Sequence, residues 1–265
     1  MGIAHQRGLN AEITELVKKK VAGGDNWSLD EIEFIQQYTG DGGLGVKASE
    51  TGSGILYEFY TPKEIASRMM QLAYNHGFVG GNVCEPAVGI GRFLQYLDPS
   101  NCYVDAYEYA GTDLATGKNK DTSFQICKAT YPWVNVINAQ FESVFYSGNS
   151  RVGHAAEYDL VIGNPPYGEF LGEYSGKRRE KKDSVKFYGK TYDQYFIWAG
   201  IQLLNPGGLL VFIVPSTFLS NNKTYTKFKN DLYRQADLIN AFRMPLSLFE
   251  FTGIGTDIVV FKKRG

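Results

Sequence analysis

The stretch Tyr158-Asp159-Leu160-Val161-Ile162-Gly163-Asn164-Pro165-Pro166-Tyr167 is the most informative part of this sequence. Its apolar first half predicts a strand buried on both faces of a parallel sheet. Its second half cannot continue that strand, because two consecutive prolines donate no backbone hydrogen bonds. The stiff turn leaves two acceptors, the Asn164 side-chain oxygen and the Pro165 carbonyl, beside the ring of Tyr167. These groups suit a planar amine, although an ordinary Pro-Pro loop after a strand would contain the same residues.

The sequence around this stretch alternates between predicted strands and predicted helices. Strands are predicted at residues 82–85, 102–108, 134–137, 158–162, 209–214, 238–243 and 257–261, and helices at 91–96, 121–130, 192–204 and 223–235. Alternating β and α units imply an α/β fold with a mostly parallel sheet and helices on both faces. Ligands of such sheets bind beyond the carboxyl ends of the strands. This rule places the loop after Glu85, Glu108 itself and the Asn164 turn on one rim.

The N-terminal part of the sequence differs in character from the rest. Residues 1–55 are predicted to form a helical segment followed by a glycine-rich linker, and residues 56–265 the α/β domain. Within the first part, Ser28 and Glu31 predict a capping box at the start of the second helix. The α/β domain is predicted to open with a helix that has Thr61 as its N-cap.

Composition excludes several classes of protein. The chain of 265 residues has a net charge of -1, so it is no generic polyanion binder and any nucleic-acid surface must be a local patch. Three cysteines without C-x-x-C spacing and three histidines without ligand spacing predict neither a disulfide framework nor a metal site. The sequence shows no apolar signal region and no long apolar span, which predicts a cytoplasmic protein that does not enter a membrane.

One segment, residues 172–190, is strongly basic. It contains Lys177, Arg178, Arg179, Lys181, Lys182, Lys186 and Lys190 against Glu173, Glu180 and Asp183. Such a segment is either a solvated surface loop or a loop that contacts phosphates. Its position directly after the Asn164 turn favours the contact with phosphates.

A second motif, Glu85-Pro86-Ala87-Val88-Gly89-Ile90-Gly91, is typical of a strand end, a glycine loop and a helix start. Gly89 and Gly91 allow the backbone to pass close to a ligand. Leu94 stands where a dinucleotide-binding fingerprint would have its third glycine. Glu85 would repel a pyrophosphate, so the motif predicts a cationic or amino-bearing ligand. The alternative is a plain strand–helix turn.

Three further residues follow predicted strands on the same rim. The carboxylate of Glu108 is placed to accept both hydroxyls of a ribose, as acidic residues do in dinucleotide folds. Phe141 is predicted to stack on an adenine, and Gln140 to hydrogen-bond the amino group of that base. The alternatives are a surface glutamate at a strand end and a phenylalanine that packs in the core.

In this order, the motifs resemble those of S-adenosylmethionine-dependent amino-methyltransferases, and most closely the N6-adenine DNA methyltransferases of the gamma arrangement. The resemblance covers roughly residues 56 to 263, and it also rests on Phe59-Tyr60-Thr61-Pro62, Asn205-Pro206-Gly207-Gly208 and the stretch from Phe249 to Thr256. It implies a Rossmann-like methyltransferase fold with a seven-stranded sheet. It also implies S-adenosylmethionine as cofactor and DNA with a flipped adenine as substrate.

The resemblance assigns roles to individual residues. The catalytic residues would be Asn164, Pro165, Pro166 and Tyr167. The cofactor would contact Tyr60, Thr61, Pro62, Glu85, Pro86, Ala87, Gly89, Gly91, Glu108, Gln140, Phe141 and Asn164. The DNA and its target base would contact Tyr167, Phe249, Phe251, Lys177, Arg178 and Arg179, and no metal is implied. Gln140 departs from the family, which often has aspartate there.

The proposed chemistry needs no nucleophilic side chain. Two acceptors on one amine would favour a pyramidal nitrogen whose lone pair points at the methyl group. Family members usually carry a target-recognition domain beyond the last predicted strand, so this chain is expected to require such a domain or a partner subunit. Two alternatives stay open at this point. One is a different planar amine, namely a protein glutamine amide, an RNA base or cytosine N4. The other is a cofactor-binding subunit that is inactive without a partner.

Overall fold

The computed structural model describes residues 3–40, 60–109, 122–145, 157–168, 191–220, 222–245 and 255–265. These residues form a seven-stranded sheet. The strands are β1 (Gly81–Glu85), β2 (Cys102–Glu108), β3 (Asn135–Asn138), β4 (Tyr158–Gly163), β5 (Leu204–Pro215), β6 (Ala236–Arg243) and β7 (Thr256–Lys263). The helices are α1 (Ile3–Gly23), α2 (Leu29–Ile35), α3 (Lys63–Asn75), α4 (Thr122–Thr130), α5 (Tyr192–Leu203) and α6 (Lys223–Leu232).

The sheet has the strand order β3-β2-β1-β4-β5-β7-β6. The first five of these pair in parallel, and β7 runs antiparallel between β5 and β6. The chain moves outward from β1 to β3 and then returns to place β4 on the other side of β1. Strand order therefore reverses between β1 and β4, which is where open α/β sheets form a ligand crevice. The predicted fold class, with a seven-stranded and mostly parallel sheet, is confirmed.

The core has two halves, one on each face of the sheet. Successive residues of β5 alternate between them: Leu209, Val211 and Ile213 face one half, and Leu210, Phe212 and Val214 face the other. Buried residues of α3 belong to the first half, and those of α5 and α6 to the second. Because both faces of the sheet are covered, residues 209–214 of β5 form one apolar run without the alternation of a half-exposed strand.

The two helix starts predicted from capping residues have different outcomes. The Ser28 capping box is confirmed, since the Glu31 amide donates to Ser28 Oγ at 3.2 Å and the Ser28 amide donates to Glu31 Oε2 at 2.8 Å. The prediction that Thr61 caps α3 is wrong, because Pro62 is the N-cap and no side chain caps it. The Thr61 side chain is buried instead.

The predicted helix at residues 91–96 is also wrong. Only a short 3-10 turn at Leu94–Tyr96 forms, preceded by hydrogen-bonded turns. The reason is local, since Gly91 has φ of +81°, a left-handed conformation that an α-helix cannot contain. Among the helices in the described ranges, none is both long enough and apolar enough to cross a membrane.

Candidate active site

The candidate site lies at the rim formed by the carboxyl ends of β1, β2 and β4. Glu85 and Glu108 end the first two of these strands, and Asn164 follows the third directly. A Cβ built on Gly163, the last residue of β4, would lie 3.5 Å from Pro86 Cδ and 3.9 Å from Glu85 Cγ. Gly163, which precedes the Asn-Pro-Pro-Tyr turn, therefore lies next to Pro86 and Glu85 of the glycine motif.

The glycine loop after β1 is held by the neighbouring strand. The Gly89 amide donates to Glu108 Oε2 at 2.7 Å, and the Val88 amide donates to the Tyr107 carbonyl at 2.9 Å. Gly89 has φ of +55°, in the region that favours glycine. A side chain there would also collide with a ring, since its Cβ would lie 2.7 Å from Tyr60 Cε1. Backbone conformation and space thus both require glycine at this position.

Glu85 is a buried acid with an unused oxygen. The residue is 1% exposed, and Glu85 Oε2 has no hydrogen-bond partner among the residues that the structure describes. Burial, and to a lesser degree the nearby Glu108 carboxylate, raise the pKa of Glu85 well above its ordinary value. An oxygen buried without a partner is unfavourable, so this position calls for a donor or a cation from a ligand.

Glu108 lies on the rim and also binds the glycine loop. It is half-buried, and its Oε2 already accepts the Gly89 amide. Its predicted role with the two ribose hydroxyls stays a prediction. Gln140 lies near it, because the Ala139 amide donates to the Glu108 carbonyl at 3.2 Å. The end of β3 therefore brings Gln140 to the same side of the crevice.

Phe141 is a core residue in this structure, with 2% exposure. Its ring meets Tyr107 edge to face at 5.5 Å and lies tilted against Phe196 at 5.1 Å. The predicted stacking of its ring on an adenine stays a prediction, and it would require neighbouring side chains to move. The alternative interpretation, core packing, describes the ring correctly.

Tyr167 and Asn164 interact with each other in the Asn-Pro-Pro-Tyr turn. The Tyr167 hydroxyl donates to Asn164 Oδ1 at 2.5 Å, so the oxygen that the sequence analysis left free for an amine is engaged. Tyr167 is 8% exposed and packs in the core half that includes Ile162. The predicted stacking of Tyr167 on a target base therefore does not describe this conformation. It would require the ring or its neighbours to move.

The sequence analysis missed Asp193, a buried acid in the first turn of α5. It is 1% exposed and accepts the Tyr225 hydroxyl at 2.9 Å on Oδ2. Burial raises the pKa of Asp193, against the opposing effect of its hydrogen bonds. Burial first, and then the Asp193 carboxylate, raise the pKa of Tyr167. An aspartate in an otherwise apolar helix was the one signal in the sequence.

Hydrogen bonds between described residues flank two stretches of sequence near the site. The Tyr192 amide donates to the Gly168 carbonyl at 3.0 Å, which joins the two ends of the stretch that contains Lys177, Arg178 and Arg179. The Met244 amide donates to the Thr256 carbonyl at 3.0 Å and the Ser216 amide to the Gly255 carbonyl at 2.8 Å. These bonds flank the stretch that contains Phe249 and Phe251. All five of these predicted substrate-contacting residues lie outside the described residues.

An ion pair between a buried carboxylate and an exposed guanidinium lies at the far side of this rim. Asp257, at the start of β7, is 0% exposed and accepts hydrogen bonds from Arg243 at the end of β6. Ser216 Oγ donates to the same carboxylate at 3.3 Å. The three strands that end here are thus tied together by one side chain.

The sequence that forms this site matches a known protein family. Residues 87–249 match the model of the Eco57I restriction-modification methylase family. The chain is 26% identical over 98% of its length to the defense against restriction protein B of Escherichia phage P1, and covers 10% of that protein. It is 27% identical over 78% of its length to the type II methyltransferase M.HincII of Haemophilus influenzae, and covers 37% of that protein.

A solved structure shares the fold. The methyltransferase subunit of the type I restriction-modification system from Streptococcus thermophilus superposes with a TM-score of 0.60 at 19% identity, over 78% of this chain and 45% of that one. The chain therefore spans less than half the length of each of these relatives. Since the family model covers more than half of the chain and includes both the glycine loop and the Asn-Pro-Pro-Tyr turn, the chain belongs to the Eco57I restriction-modification methylase family.

Proposed function

We propose that this chain transfers a methyl group from S-adenosylmethionine to the exocyclic N6 amine of adenine in DNA. The observation that carries the proposal is the placement of the glycine motif and the Asn164 turn on one rim, where Gly163, which precedes the turn, lies next to Pro86. One side offers a place for a cofactor with an amino group, and the other offers two amine acceptors. Membership of a restriction-modification methylase family supports DNA as the substrate.

S-adenosylmethionine is the cofactor of this family and of methyltransferases with this fold. When bound, it supplies an electrophilic methyl group on a sulfonium centre. The residues of the site fit it, because Glu85 Oε2 is a buried acceptor without a partner among the described residues and suits the ammonium of the methionine end. Glu108 and Gln140 would hold the ribose and the adenine, and the glycine loop would let the cofactor approach the backbone.

The acceptor side of the site would act by positioning and electrostatics. The lone pair of the adenine amine is delocalised into the ring, so the free amine is a poor nucleophile. Asn164 Oδ1 and the Pro165 carbonyl would accept its two hydrogens and favour a pyramidal nitrogen. Asn164 Oδ1 already accepts the Tyr167 hydroxyl, so the amine would use the second lone pair of this oxygen and share it with that hydroxyl.

Recognition of a DNA sequence would need more than these residues. The relatives are longer than the region that matches them, and one shared fold belongs to a protein named as a subunit of a type I system. Both facts support the proposal that a recognition domain or a partner subunit completes specific binding. The basic segment would supply phosphate contacts beside the catalytic turn.

The test is transfer of tritiated methyl from S-adenosylmethionine to unmethylated DNA, followed by digestion of the product to nucleosides. We expect the label in N6-methyladenine. An Asn164→Ala variant should bind the cofactor normally and lose activity by about 100-fold or more, the usual effect of removing one transition-state hydrogen bond. Label in N4-methylcytosine, or only in protein or RNA, would contradict the proposed acceptor. Full activity of Asn164→Ala would contradict its catalytic role.

A further inference from the structure

The helices α1 and α2 cover the outer side of the glycine loop. Ile90, between the two loop glycines, is 0% exposed. It shares an apolar cluster with Ile13 of α1, Ile35 of α2 and Ile126 of α4. Residues far from the loop in sequence therefore enclose its central side chain. Apolar contacts of this kind are ordinary core packing. The hydrogen bonds at the same place depend on particular side chains.

One side chain, Gln36, joins three elements. It is the C-cap of α2, and its Nε2 donates to the Ile90 carbonyl at 3.3 Å and to Thr130 Oγ1 at 3.0 Å. The Gln36 carbonyl in turn accepts Arg92 Nη2 at 2.9 Å. The end of α2 is therefore bound to the glycine loop in both directions, as a donor to Ile90 and as an acceptor from Arg92.

These bonds fix a peptide group that the sheet does not reach. On the inner side of the loop, the Val88 and Gly89 amides are held by β2. The peptide between Ile90 and Gly91 lies on the outer side. Its N–H donates to the Val88 carbonyl at 2.9 Å, and its carbonyl is the acceptor of Gln36. Gln36 thus sets the orientation of the peptide group between Ile90 and Gly91.

A second contact from the same region reaches Gly89. Tyr38, just after α2, packs edge to face on Tyr60 with ring centroids 5.9 Å apart. Tyr60 lies directly over Gly89, since a Cβ there would be 2.7 Å from its ring. Asn10 of α1 secures this stretch, because its Nδ2 donates to the Gly40 carbonyl at 2.6 Å and its Oδ1 accepts the Thr39 amide at 3.2 Å.

We propose that Gln36 and Arg92 are positioning residues for the cofactor, which make α1 and α2 a working part of its site. Neither needs to touch the cofactor. Gln36 holds the glycine loop in the shape that the cofactor binds, and Arg92 holds Gln36. The inference rests on the proposed use of the glycine loop for S-adenosylmethionine, and it does not depend on which amine is methylated.

The experiment compares two substitutions of Gln36 with a control. Gln36→Ala removes the two bonds that Nε2 donates and the 3.5 Å bond that Oε1 accepts from Arg92 Nη1. Gln36→Glu keeps the reach and adds a charge that attracts Arg92, but a carboxylate cannot donate to the Ile90 carbonyl. Gln71→Ala is the control, because Gln71 bonds within α3, to Asn75 at 2.9 Å, on an exposed surface. The affinity for S-adenosylmethionine is measured by calorimetry, and the Tm without cofactor by circular dichroism.

We expect both Gln36 variants to bind S-adenosylmethionine about tenfold more weakly, the effect of one lost hydrogen bond, while Gln71→Ala binds it like the unmodified protein. Gln36→Glu should keep its Tm, which separates positioning from stability. The inference is overturned if both variants bind with unchanged affinity. It is also overturned if Gln36→Glu restores affinity and Tm together, because the helices would then act only through stability.

Failure of the proposed function gives a different result. An unmodified protein that binds no S-adenosylmethionine overturns both the function and this inference. An unmodified protein that binds the cofactor and methylates no DNA, while the Gln36 variants bind it more weakly, overturns the proposed function and supports the role of Gln36 and Arg92.

Discussion

The hydrogen bond from Tyr167 to Asn164 gives the catalytic turn a closed resting arrangement. The hydroxyl occupies the same oxygen that the incoming amine would use. Because an amide oxygen has two lone pairs, the hydroxyl and the amine would share it, and an oxygen that already accepts one hydrogen bond attracts a second donor less strongly. A single atom of Tyr167 controls this competition, which makes it open to a conservative substitution.

Tyr167→Phe should keep the ring and remove the competing hydroxyl. We expect turnover to be retained and the KM for DNA to fall by about twofold to tenfold, the range of one net hydrogen bond. Steady-state kinetics with varied DNA and saturating cofactor would measure it. A loss of turnover as large as that of Asn164→Ala would show that the hydroxyl takes part in catalysis, contrary to this interpretation.

Glu85 makes the stability of the cofactor-free protein depend on pH. Its folded-state pKa is raised above the ordinary value of 4.5, so the folded protein binds more protons than the unfolded chain between those two values. Stability is thus lost as pH rises from 4.5 toward the raised pKa. Glu85→Gln should increase the Tm without cofactor at neutral pH, and this gain should shrink as pH falls toward 4.5.

Thermal unfolding of both proteins across that pH range would test the Glu85 prediction. The same variant should bind S-adenosylmethionine more weakly, because a neutral amide attracts an ammonium less than a carboxylate does. A Tm difference that is independent of pH would show that Glu85 stays ionised in the folded protein. Such an exchange of stability for binding is common at functional sites.

At the level of elements, the contact between α5 and the sheet is unusually close at Gly200. A Cβ there would lie 2.6 Å from Leu210 Cδ1 and 3.3 Å from Val161 Cγ1, both in a fully buried layer. Alanine favours helix over glycine by about 1 kcal/mol, but overpacking a core costs about 1–3 kcal/mol. The cost of overpacking at Gly200 should therefore exceed the gain in helix propensity.

Gly200→Ala should lower the free energy of unfolding by about 1–2 kcal/mol in urea denaturation, despite the better helix propensity. Gly8→Ala is the matched control. Gly8 lies within α1, and a Cβ there meets nothing within 4 Å, so this substitution should stabilise by about 0.5–1 kcal/mol. Equal effects at the two positions would mean that the core yields easily beneath α5.

Helices and strands could be predicted from the sequence where one local pattern, such as an apolar run, was sufficient to define them. Apolar runs revealed all seven strands, although β5 begins at Leu204, before Asn205-Pro206-Gly207, which resembles a turn. It can begin there because Leu204 pairs with Tyr158 across an irregularity in the register. The helix start at Thr61 failed for a similar reason, since burial of the Thr61 side chain overrode its capping tendency.

In the candidate site, the positions of residues could be predicted from the sequence, but the contacts of their side chains could not. Glu85, Glu108 and Asn164 were placed on one rim because carboxyl ends of parallel strands must meet there. The engaged oxygen of Asn164 and the buried ring of Phe141 depend on how the side chains pack in three dimensions. No periodicity or spacing encodes such contacts, so only the assembled structure revealed them.

For the molecule as a whole, the basic segment is the expected source of DNA affinity, because the net charge of the chain is only -1. Replacing Lys177, Arg178, Arg179, Lys181 and Lys182 with glutamine should flatten the dependence of DNA affinity on salt, by about 0.9 in log–log slope for each phosphate that is no longer neutralised. Fluorescence anisotropy with labelled duplex DNA over a series of salt concentrations would measure the slope.

Cofactor affinity of this variant should stay unchanged, since the substitutions lie apart from the glycine loop in sequence. Replacing the exposed Lys18 on α1 in the same way serves as a control for charge alone. An unchanged salt slope in the fivefold variant would assign the segment to ordinary solvated surface.

The bond between Tyr192 and Gly168 has a consequence for how such enzymes diversify. Because this bond joins Gly168 to Tyr192, the two described residues that flank this part of the sequence lie close together, between the end of β4 and the start of α5. The entropy of loop closure depends only weakly on length, so insertions between these two residues should carry little energetic penalty. We therefore expect this position to accept inserted or replaced segments without loss of the fold.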